Sequence, residues 1–417
     1  MPTLGAYGVV LAVVALTTFV TLFGVRKLAY RIGAVVKPDD RRVHKRPTPT
    51  LGGVAMLAGV LVGMLVAWLM GSFDAIFSGS TEPLGLVLAA VVIVVVGVID
   101  DLREVSAPAK VAGMVLAASV LVISGISILV FRVPFAGVFV LSTDFSYLIS
   151  VLWVVGMANA INLIDGLDGL AGGIVAIASA AFFLYSRELS FEGLLGPGNI
   201  GALIAVVTLG ACLGFLPHNI HPAKIFMGDG GALLLGLLMA ASTMVVGGRT
   251  DRSFSGSSFF FFAPVLIPVV ILGVPIIDMA FAIIRRAGKR KGISNPDKGH
   301  LHHRLMRLGH GQRRSVFILW AWTALLSGFV LYPIYSGSGD GVVPLGIAAI
   351  LLLLYMFLHP GLRTKREVDS GGDDADPPPG GPPPDPPVVG PVGYRPSPDV
   401  PAGVDTTPAA PAGPANT

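Results

Sequence analysis

Long apolar runs recur along most of this chain, and they limit the folds that it can adopt. A run of about 17–25 apolar residues is long enough to cross a bilayer as a helix. Hydrophobic residues make up 53% of the sequence and charged residues only 13%, which overrules the two or three soluble domains that the length alone suggests. The sequence therefore predicts an all-α, polytopic integral membrane protein with about 11 transmembrane helices. We place them at 4–24, 51–71, 84–100, 109–130, 145–163, 168–186, 199–217, 230–248, 259–284, 315–334 and 342–360.

The charges between these runs predict how the protein is oriented. Loops rich in Lys and Arg face the cytoplasm. Residues 26–46 carry eight Lys and Arg, and residues 285–314 carry ten against one acidic residue. Few basic residues lie in the loops that would face the other side, near 72–83, 131–144, 187–198, 249–258 and 335–341. We therefore expect the N-terminus outside, the C-terminus in the cytoplasm, and a multi-pass protein of the inner (plasma) membrane.

The two ends of the sequence differ from its middle. The first run is long enough to span and has no basic region before it, so we expect no cleavable signal peptide. After about Leu362 the chain is rich in Pro, Gly, Asp and Ala, a composition that buries too little apolar surface to fold. We therefore predict a membrane domain with a cytoplasmic active site at 1–361 and a disordered cytoplasmic tail at 362–417. The single cysteine, Cys212, excludes an internal disulfide.

One polar stretch, at 159–173, interrupts the apolar background. It places Asn159, Asn162, Asp165 and Asp168 at three-residue steps. Residues three apart share a face if the segment is helical, and ionisable groups at membrane depth are retained mainly where they serve a function. Four oxygen-bearing side chains suit a hard cation such as magnesium. Helix capping, the alternative, explains one of these residues but not four in register.

Acidic groups also mark the ends of two other runs. Asp100 and Asp101 close the third run, and Lys110 opens the fourth. Adjacent carboxylates repel each other and recruit a cation, and one of them can act as a general base, although a solvated helix end is the simpler alternative. Asp229 lies between glycines where the eighth run begins, and a helix N-terminus there would favour a phosphate group.

Two basic segments accompany these acids. The segment 37–53 joins Lys and Arg side chains to a turn rich in Pro and Gly, and it is expected to contact phosphates of a ligand or of anionic lipid. The segment 295–304 holds three histidines within four residues. Because no cysteine lies nearby, we favour contact with phosphate or sugar over a zinc site. His310, further along, is expected to be a solvated loop residue.

All of these clusters fall on the side predicted to be cytoplasmic. Together they suit magnesium-assisted phosphoryl transfer between a soluble, nucleotide-linked donor and a lipid acceptor. A secondary transporter also carries charges within the membrane, but its sites lie near the midplane and often in repeated halves. Here the clusters lie at one face and no repeat is evident. The residues alone do not name the donor.

Five motifs, in order over about residues 5–360, resemble those of the polyprenyl-phosphate N-acetylhexosamine-1-phosphate transferases, the glycosyltransferase 4 family of membrane enzymes. They are Thr48-Pro-Thr-Leu-Gly-Gly53, Asp100-Asp101 with Lys110, Asn159-Ala-Ile-Asn-Leu-Ile-Asp-Gly-Leu-Asp-Gly169, Phe226-Met-Gly-Asp-Gly-Gly231 and His300-Leu-His-His-Arg304. The muramoyl-pentapeptide branch of this family shows consecutive histidines followed by Phe-Glu. The loop at 300–304 is instead similar to that of the branch that transfers GlcNAc-1-phosphate.

The resemblance implies transfer of GlcNAc-1-phosphate from UDP-GlcNAc to a polyprenyl phosphate (undecaprenyl or decaprenyl), with release of UMP. This would be the first membrane step of a cell-envelope polysaccharide. Another UDP-sugar, such as UDP-GalNAc, a diaminosugar or the MurNAc-pentapeptide donor, stays open as an alternative. The implied partners are UDP-GlcNAc, the polyprenyl phosphate and the membrane; no nucleic acid is expected, and a homodimer stays open.

The resemblance also implies roles for individual residues. Mg²⁺, with Mn²⁺ as a substitute, would be held by Asn162, Asp165 and Asp229. The implied catalytic residues are Asp100, Asp101, Lys110 and Asp229. Asp100 would deprotonate or orient the lipid phosphate with support from Asp101, and Lys110 would balance charge on the leaving UMP. The donor would be held by Lys45, Asp168, Asn219, Phe226, His300, His302, His303 and Arg304. Direct attack and a phospho-Asp intermediate both stay open.

Overall fold

A computed structural model describes residues 2–36, 47–103, 105–133, 137–247, 266–288, 301–336 and 341–358. Two of the predicted donor-binding residues, Lys45 and His300, lie outside these ranges, as does the predicted tail at 362–417. The side chains of His302 and His303 are likewise outside the description. The roles given to these residues and to the tail stay predictions.

Helices dominate the part of the chain that the structure describes. Their bounds are α1 (Leu4–Ile32), α2 (Gly52–Leu69), α3 (Asp74–Phe77), α4 (Glu82–Arg103), α5 (Ala107–Ile123), α6 (Thr143–Ile164), α7 (Leu170–Phe191), α8 (Gly201–Asn219), α9 (Gly228–Gly247), α10 (Leu266–Ile271), α11 (Gly273–Gly288), α12 (Leu301–Arg307), α13 (Gln312–Ser336) and α14 (Val342–Leu358). Two short antiparallel hairpins pair β1 (Val35–Val36) with β2 (Thr48–Pro49), and β3 (Val130–Val133) with β4 (Gly137–Val140).

Most of these helices are apolar enough to cross a membrane. Among the described residues, eight have the length and composition of a span: α1, α2, α4, α6, α7, α8, α9 and α13. Shorter apolar helices lie within α5, α11 and α14. Each of these eleven helices overlaps one of the predicted runs, so the prediction of an all-α, polytopic membrane protein is confirmed. The β3–β4 hairpin occupies a stretch predicted only as a loop.

The helix α9 occupies the centre of the bundle. Of the apolar stretch of α9, 94% is buried, whereas the figure for α1 is 28%. A helix that is apolar all round is expected to be enclosed by other helices, and α9 packs against α2, α4, α6 and α8. The N-terminal end of α9 therefore lies among several helix ends, and that end carries Asp229.

Candidate active site

Four polar side chains from four different helices meet at one end of the bundle. Lys110, near the start of α5, places its ammonium 2.8 Å from the Oδ2 atom of Asp100, at the end of α4. The same ammonium contacts Oδ2 of Asp229, at the start of α9. Asn162, at the end of α6, donates from Nδ2 to Oδ1 of Asp229 at 2.8 Å. The structure thus brings together Asp100, Lys110, Asn162 and Asp229, which form the central cluster and all of which the sequence had singled out.

The second acid of the pair, Asp101, holds the start of α9. Its Oδ1 atom accepts from the backbone N–H of Asp229 at 3.0 Å, and Oδ2 accepts from that of Gly230 at 3.4 Å. These are among the amide groups that a helix N-terminus leaves without an intrahelical partner, and a carboxylate there interacts favourably with the helix dipole. Asp101 therefore acts on Asp229 through the backbone, as a residue that supports the site.

The segment around β2 holds the loop that leads into α9. Pro49 accepts from the N–H of Phe226 at 2.9 Å, and the N–H of Gly52 donates to the carbonyl of Phe226 at 3.0 Å. Thr50 adds a side-chain hydrogen bond to Asp101 at 3.5 Å. The turn rich in Pro and Gly therefore has a clear structural role, because it fixes the backbone that precedes Asp229.

Glycines let three backbones meet at this point. A Cβ atom on Gly53 of α2 would lie 2.1 Å from the nitrogen of Gly231, and one on Gly97 of α4 would lie 2.4 Å from Gly230. Both distances are far shorter than any contact that a real side chain can make. The helices α2 and α4 therefore approach the first turn of α9 with no side chain between them.

The run of Asn and Asp at 159–168 divides between separate surroundings. Asn159 donates to the carbonyl of Val155 at 2.7 Å and contacts the sulfur of Met114 at 3.4 Å. Asp168 contacts the loop between α8 and α9 instead. The expectation that four side chains at three-residue steps converge on one spot was wrong for these two. Asn159 lies within α6 and meets Met114 of α5, whereas Asp168 follows the end of α6 at Ile164, where the chain turns before α7 begins.

Asp165 caps the C-terminal end of α6 beside the central cluster. Burial raises the pKa of Asp165 to about 8, and the negative charges of Asp229, Asp101 and Asp168 act in the same direction. A carboxyl with such a pKa is largely protonated at neutral pH in the absence of a cation. The concentration of acidic groups therefore favours the arrival of positive charge.

The side chains of Asp229 and Asn162 offer oxygen ligands of the kind that Mg²⁺ prefers. Among the described residues, no three His, Cys, Asp or Glu side chains are close enough to enclose a metal ion alone. Mg²⁺ is usually held by one or two carboxylates, with waters and substrate phosphates as its other ligands. The carboxylate of Asp229 and the amide of Asn162 are 2.8 Å apart, and an amide that turns end over end presents its oxygen.

A second group of contacts joins the loop after α6 to the loop after α8. Oδ2 of Asp168 accepts from Nδ1 of His221 at 2.7 Å and from the N–H of Ala223 at 3.1 Å. The buried amide of Asn219 accepts from the N–H of Gly169 at 2.8 Å and donates to the carbonyl of Ile225 at 3.0 Å. In this structure Asn219 therefore braces two loops, and its predicted contact with uridine stays a prediction.

A cavity of about 360 Å³ lies beside Asp168. Its wall includes His221 and, from α13, Arg313, Phe317 and Trp320. Cavities of this size are large enough for part of a small-molecule ligand. The half-buried Phe226, also predicted to hold uridine, lies in the loop between α8 and α9, as His221 does.

Comparison with known proteins identifies the family of this chain. The pattern of glycosyl transferase family 4 matches residues 83–247. A decaprenyl-phosphate N-acetylglucosaminephosphotransferase of Mycolicibacterium smegmatis is 38% identical over 365 residues, which cover 85% of this chain and 89% of the relative. The chain belongs to glycosyl transferase family 4. The residues of the central cluster, from Asp100 to Asp229, all lie within the matched region of the family.

Two further relatives in family 4 are named for different activities. A "probable undecaprenyl-phosphate N-acetylglucosaminyl 1-phosphate transferase" of Bacillus subtilis is 36% identical over 306 residues, covering 73% of this chain and 77% of the relative. A phospho-N-acetylmuramoyl-pentapeptide-transferase of Desulforudis audaxviator is 32% identical over 319 residues, covering 70% and 86%. The resemblance carried by the five motifs is confirmed at the level of the family.

Three residues of this family 4 chain were missed or misjudged from sequence. His221 was not predicted to contribute, although its position between Asn219 and Phe226 was a usable signal. Arg313 donates to the carbonyl of His221 at 3.2 Å, a contact that only the folded chain reveals. The prediction for His310 was wrong: it is buried, and its Nε2 lies 3.0 Å from the carbonyl of Met356 on α14.

Proposed function

We propose that this chain transfers GlcNAc-1-phosphate from UDP-GlcNAc to a polyprenyl phosphate and releases UMP. One observation carries the proposal: the ammonium of Lys110 lies between the carboxylates of Asp100 and Asp229, at the end of the bundle where helix ends meet. Such a cluster suits reactions in which phosphate charge must be gathered and redistributed. The relatives from M. smegmatis and B. subtilis, named for GlcNAc-phosphate transfer to prenyl phosphates, support the choice of substrates.

The reaction exchanges one phosphorus–oxygen bond for another. An oxygen of the lipid phosphate attacks the phosphorus that carries the sugar, and the bond from that phosphorus to UMP breaks. We assign to Asp100 the deprotonation or orientation of the lipid phosphate. Its carboxylate already accepts from the N–H of Val105 at 2.7 Å and from Lys110, so it is oriented before the acceptor arrives. Lys110 is within reach of charge that builds up on the leaving UMP.

We further propose that the enzyme works with Mg²⁺. Asp229 and Asn162 would hold the ion, with Asp165 close by, and the ion would supply charge neutralisation on the donor diphosphate. Asp101 keeps the carboxylate of Asp229 in place by capping the first turn of α9. Asp101, Asp165 and Asp229 lie close enough for their charges to interact. Their proximity supports a cation at this point, because their mutual repulsion is relieved when it binds.

We propose that the site faces the cytoplasm of a plasma membrane. Starting from an external N-terminus, successive spans bring the ends of α4, α6 and α8 and the starts of α5, α7 and α9 to the same side. The last turn of α1 carries Arg31, and the first turn of α13 carries Arg313 and Arg314. Basic residues at that side fit the positive-inside rule, and UDP-sugars are soluble donors that need access from it.

A second candidate, transfer of a phospho-MurNAc-pentapeptide, has one specific observation behind it: relatives named for that activity match about 70% of the chain at 32–33% identity. Identity and coverage are both higher for the relatives named for GlcNAc-phosphate transfer. The sequence His300-Leu-His-His-Arg304 also departs from the muramoyl-pentapeptide pattern. We therefore rank GlcNAc-1-phosphate first.

The test uses membranes that contain the protein, a polyprenyl phosphate, Mg²⁺ and radiolabelled UDP-GlcNAc. We expect label in the lipid fraction, and we expect excess UMP to return it to UDP-GlcNAc, since the exchange of phosphate bonds is reversible. Parallel reactions with UDP-GalNAc and UDP-MurNAc-pentapeptide identify the donor. Labelling from either of these alone would overturn the choice of sugar, and no labelling from any donor by folded protein would overturn the transferase assignment.

A further inference from the structure

The apolar helix α11 carries an acidic residue whose side chain is buried in the protein. Asp278 is 1% exposed. The neighbouring side chains of Ile277, Phe281 and Ile284 are exposed, as expected for a face that meets lipid, whereas Ala282, one turn after Asp278, is fully buried. Asp278 therefore points into the protein. Ionisable groups at such depth are expensive and mark a function more often than not.

One contact of Asp278 is with the start of another helix. Its Oδ1 atom accepts from the backbone N–H of Leu301 at 2.8 Å, and Leu301 is the first residue of α12. The first amide groups of a helix have no intrahelical acceptor, and a carboxylate there also stabilises the helix dipole. Asp278 thus does for α12 what an N-cap residue does, but from 23 residues away in the sequence.

The helix α12 needs such support because it is short. Its described part has seven residues, and an isolated helix of that length is not stable in water. Its C-terminal end is held by the buried Leu305, whose carbonyl accepts from the N–H of His310 at 3.3 Å. Among the described backbone contacts, the N-terminal end is held by Asp278. That end carries His302, His303 and Arg304, the residues predicted to contact the donor.

We propose that Asp278 is a positioning residue for the sugar-nucleotide donor: it holds the N-terminal end of α12 and so places the residues at 302–304. The proposal rests on the proposed function, since it takes UDP-GlcNAc as the ligand that α12 meets. Asp278 is proposed to act without contacting either substrate. Its effect is transmitted through the backbone of Leu301.

The first arm of the test measures the cap without any substrate. Amide hydrogen exchange of residues 301–307 is followed in the full-length protein in lipid nanodiscs. We expect Asp278→Ala to speed exchange at the start of α12 by about fivefold to tenfold, the usual scale for losing an N-cap. Asp278→Asn keeps an oxygen that can accept, so it is expected to stay within about twofold of wild type. Ile277→Ala, on the exposed face of α11, is the matched control.

The second arm measures transfer. If α12 is correctly placed in only a fraction of molecules, the apparent affinity for the donor falls by that fraction. We expect Asp278→Ala to raise the KM for UDP-GlcNAc, and the fivefold to tenfold change in the capping equilibrium is about the upper limit of this rise. The KM for the polyprenyl phosphate should not change. A general loss of structure would instead lower kcat and affect both substrates, and Asp278→Asn would then not rescue the donor KM.

A second pair of variants changes Leu301, whose N–H donates the same hydrogen bond. Leu301→Pro removes the N–H, and proline is well tolerated at the first position of a helix. Leu301→Ala keeps the N–H and removes the side chain, so it is the control. We expect Leu301→Pro to reproduce Asp278→Ala in both arms, and this pair decides the matter if Asp278→Ala does not accumulate in membranes.

Unchanged exchange at 302–304 in both Asp278→Ala and Leu301→Pro would overturn the capping role. Faster exchange with an unchanged donor KM would overturn the positioning role. If the wild type transfers nothing from UDP-GlcNAc, the proposed function and the donor role fail together. The exchange arm still decides in that case whether Asp278 caps α12, so the two failures are distinguishable.

Discussion

At the scale of single residues, Asp229 collects most of the contacts of the site. Its backbone N–H donates to Asp101, and its carboxylate accepts from Asn162 and Lys110. Asp229→Asn keeps the size and the backbone contact but removes the charge. We expect transfer to fall by at least about 100-fold, as when preorganised electrostatic stabilisation is lost, with little change in the melting temperature.

The labelling assay and a thermal melt in detergent measure these two quantities. Asp144→Asn is the matched control, since Asp144 is an exposed acid in the first turn of α6, at its other end. Full transfer activity in the Asp229 variant would remove this residue from the mechanism. A large drop in melting temperature would show that its role is structural.

The pKa of Asp165, raised to about 8, predicts that the Mg²⁺ requirement depends on pH. A carboxyl group must lose its proton before it can bind a metal ion. Below about pH 8 protons therefore compete with Mg²⁺, and above it they do not. We expect the Mg²⁺ concentration for half-maximal rate to rise as the pH falls from about 8.5 to about 6.5, by at most tenfold per pH unit.

Titrations of Mg²⁺ at several pH values check this expectation. In Asp165→Asn the group that titrates is gone, so the Mg²⁺ requirement should be higher overall but should depend less on pH over the same range. An equal Mg²⁺ requirement for the wild type at both ends of the range would contradict a role for Asp165 near the metal.

At the scale of elements, the close approach of α4 to α9 depends on a missing side chain. Gly97→Ala places a Cβ atom 2.4 Å from the backbone of Gly230, and backbone cannot move aside as a flexible side chain can. Overpacking of this kind costs about 1–3 kcal/mol. We expect a lower melting temperature and lost transfer, since the first turn of α9 carries Asp229.

Gly156→Ala on α6 is the control for this prediction, because a Cβ atom there would meet nothing within 4 Å. Alanine also favours helix more than glycine does, so the control should be neutral or slightly stabilising. Equal melting temperatures for the two variants, measured in the same detergent, would show that α4 and α9 are further apart than described.

The elements also show what sequence reasoning can and cannot reach. The spans were predictable because a lipid environment demands long apolar helices, and Asp100, Lys110, Asn162 and Asp229 were predictable because each lies at the end of one. The bond of Asn219 to Gly169 and the cap made by Asp278 were not, since each of these two contacts joins segments that are distant in sequence. Asn159 was misplaced because three-residue spacing says nothing of which neighbour a face meets.

At the scale of the whole molecule, the membrane domain and the tail are predicted to be separable. Deleting the residues after Arg366 keeps the basic residues that follow the last span and removes most of the Pro-rich sequence. The tail lies outside the described residues, and the central cluster does not include it. We expect transfer within about twofold of the full-length chain at equal protein level, since every residue assigned to the reaction precedes the tail in the sequence.

This expectation is checked by the labelling assay on membranes matched for protein content. A variant with the tail residues kept but scrambled separates length from sequence. If the shortened protein is present and folded but inactive while the scrambled one works, the tail contributes through its length. If both fail, its sequence matters to the reaction.

The burial of α9 has a consequence for how the bilayer acts on this protein. Outer helices such as α1 meet lipid directly, and a thinner or thicker bilayer changes their tilt first. The helix that carries Asp229 touches almost none of it, and its neighbours stand between it and the acyl chains. The position of Asp229 is thus expected to respond less to bilayer thickness than positions on the outer helices do, while the lipid substrate is drawn from that same membrane.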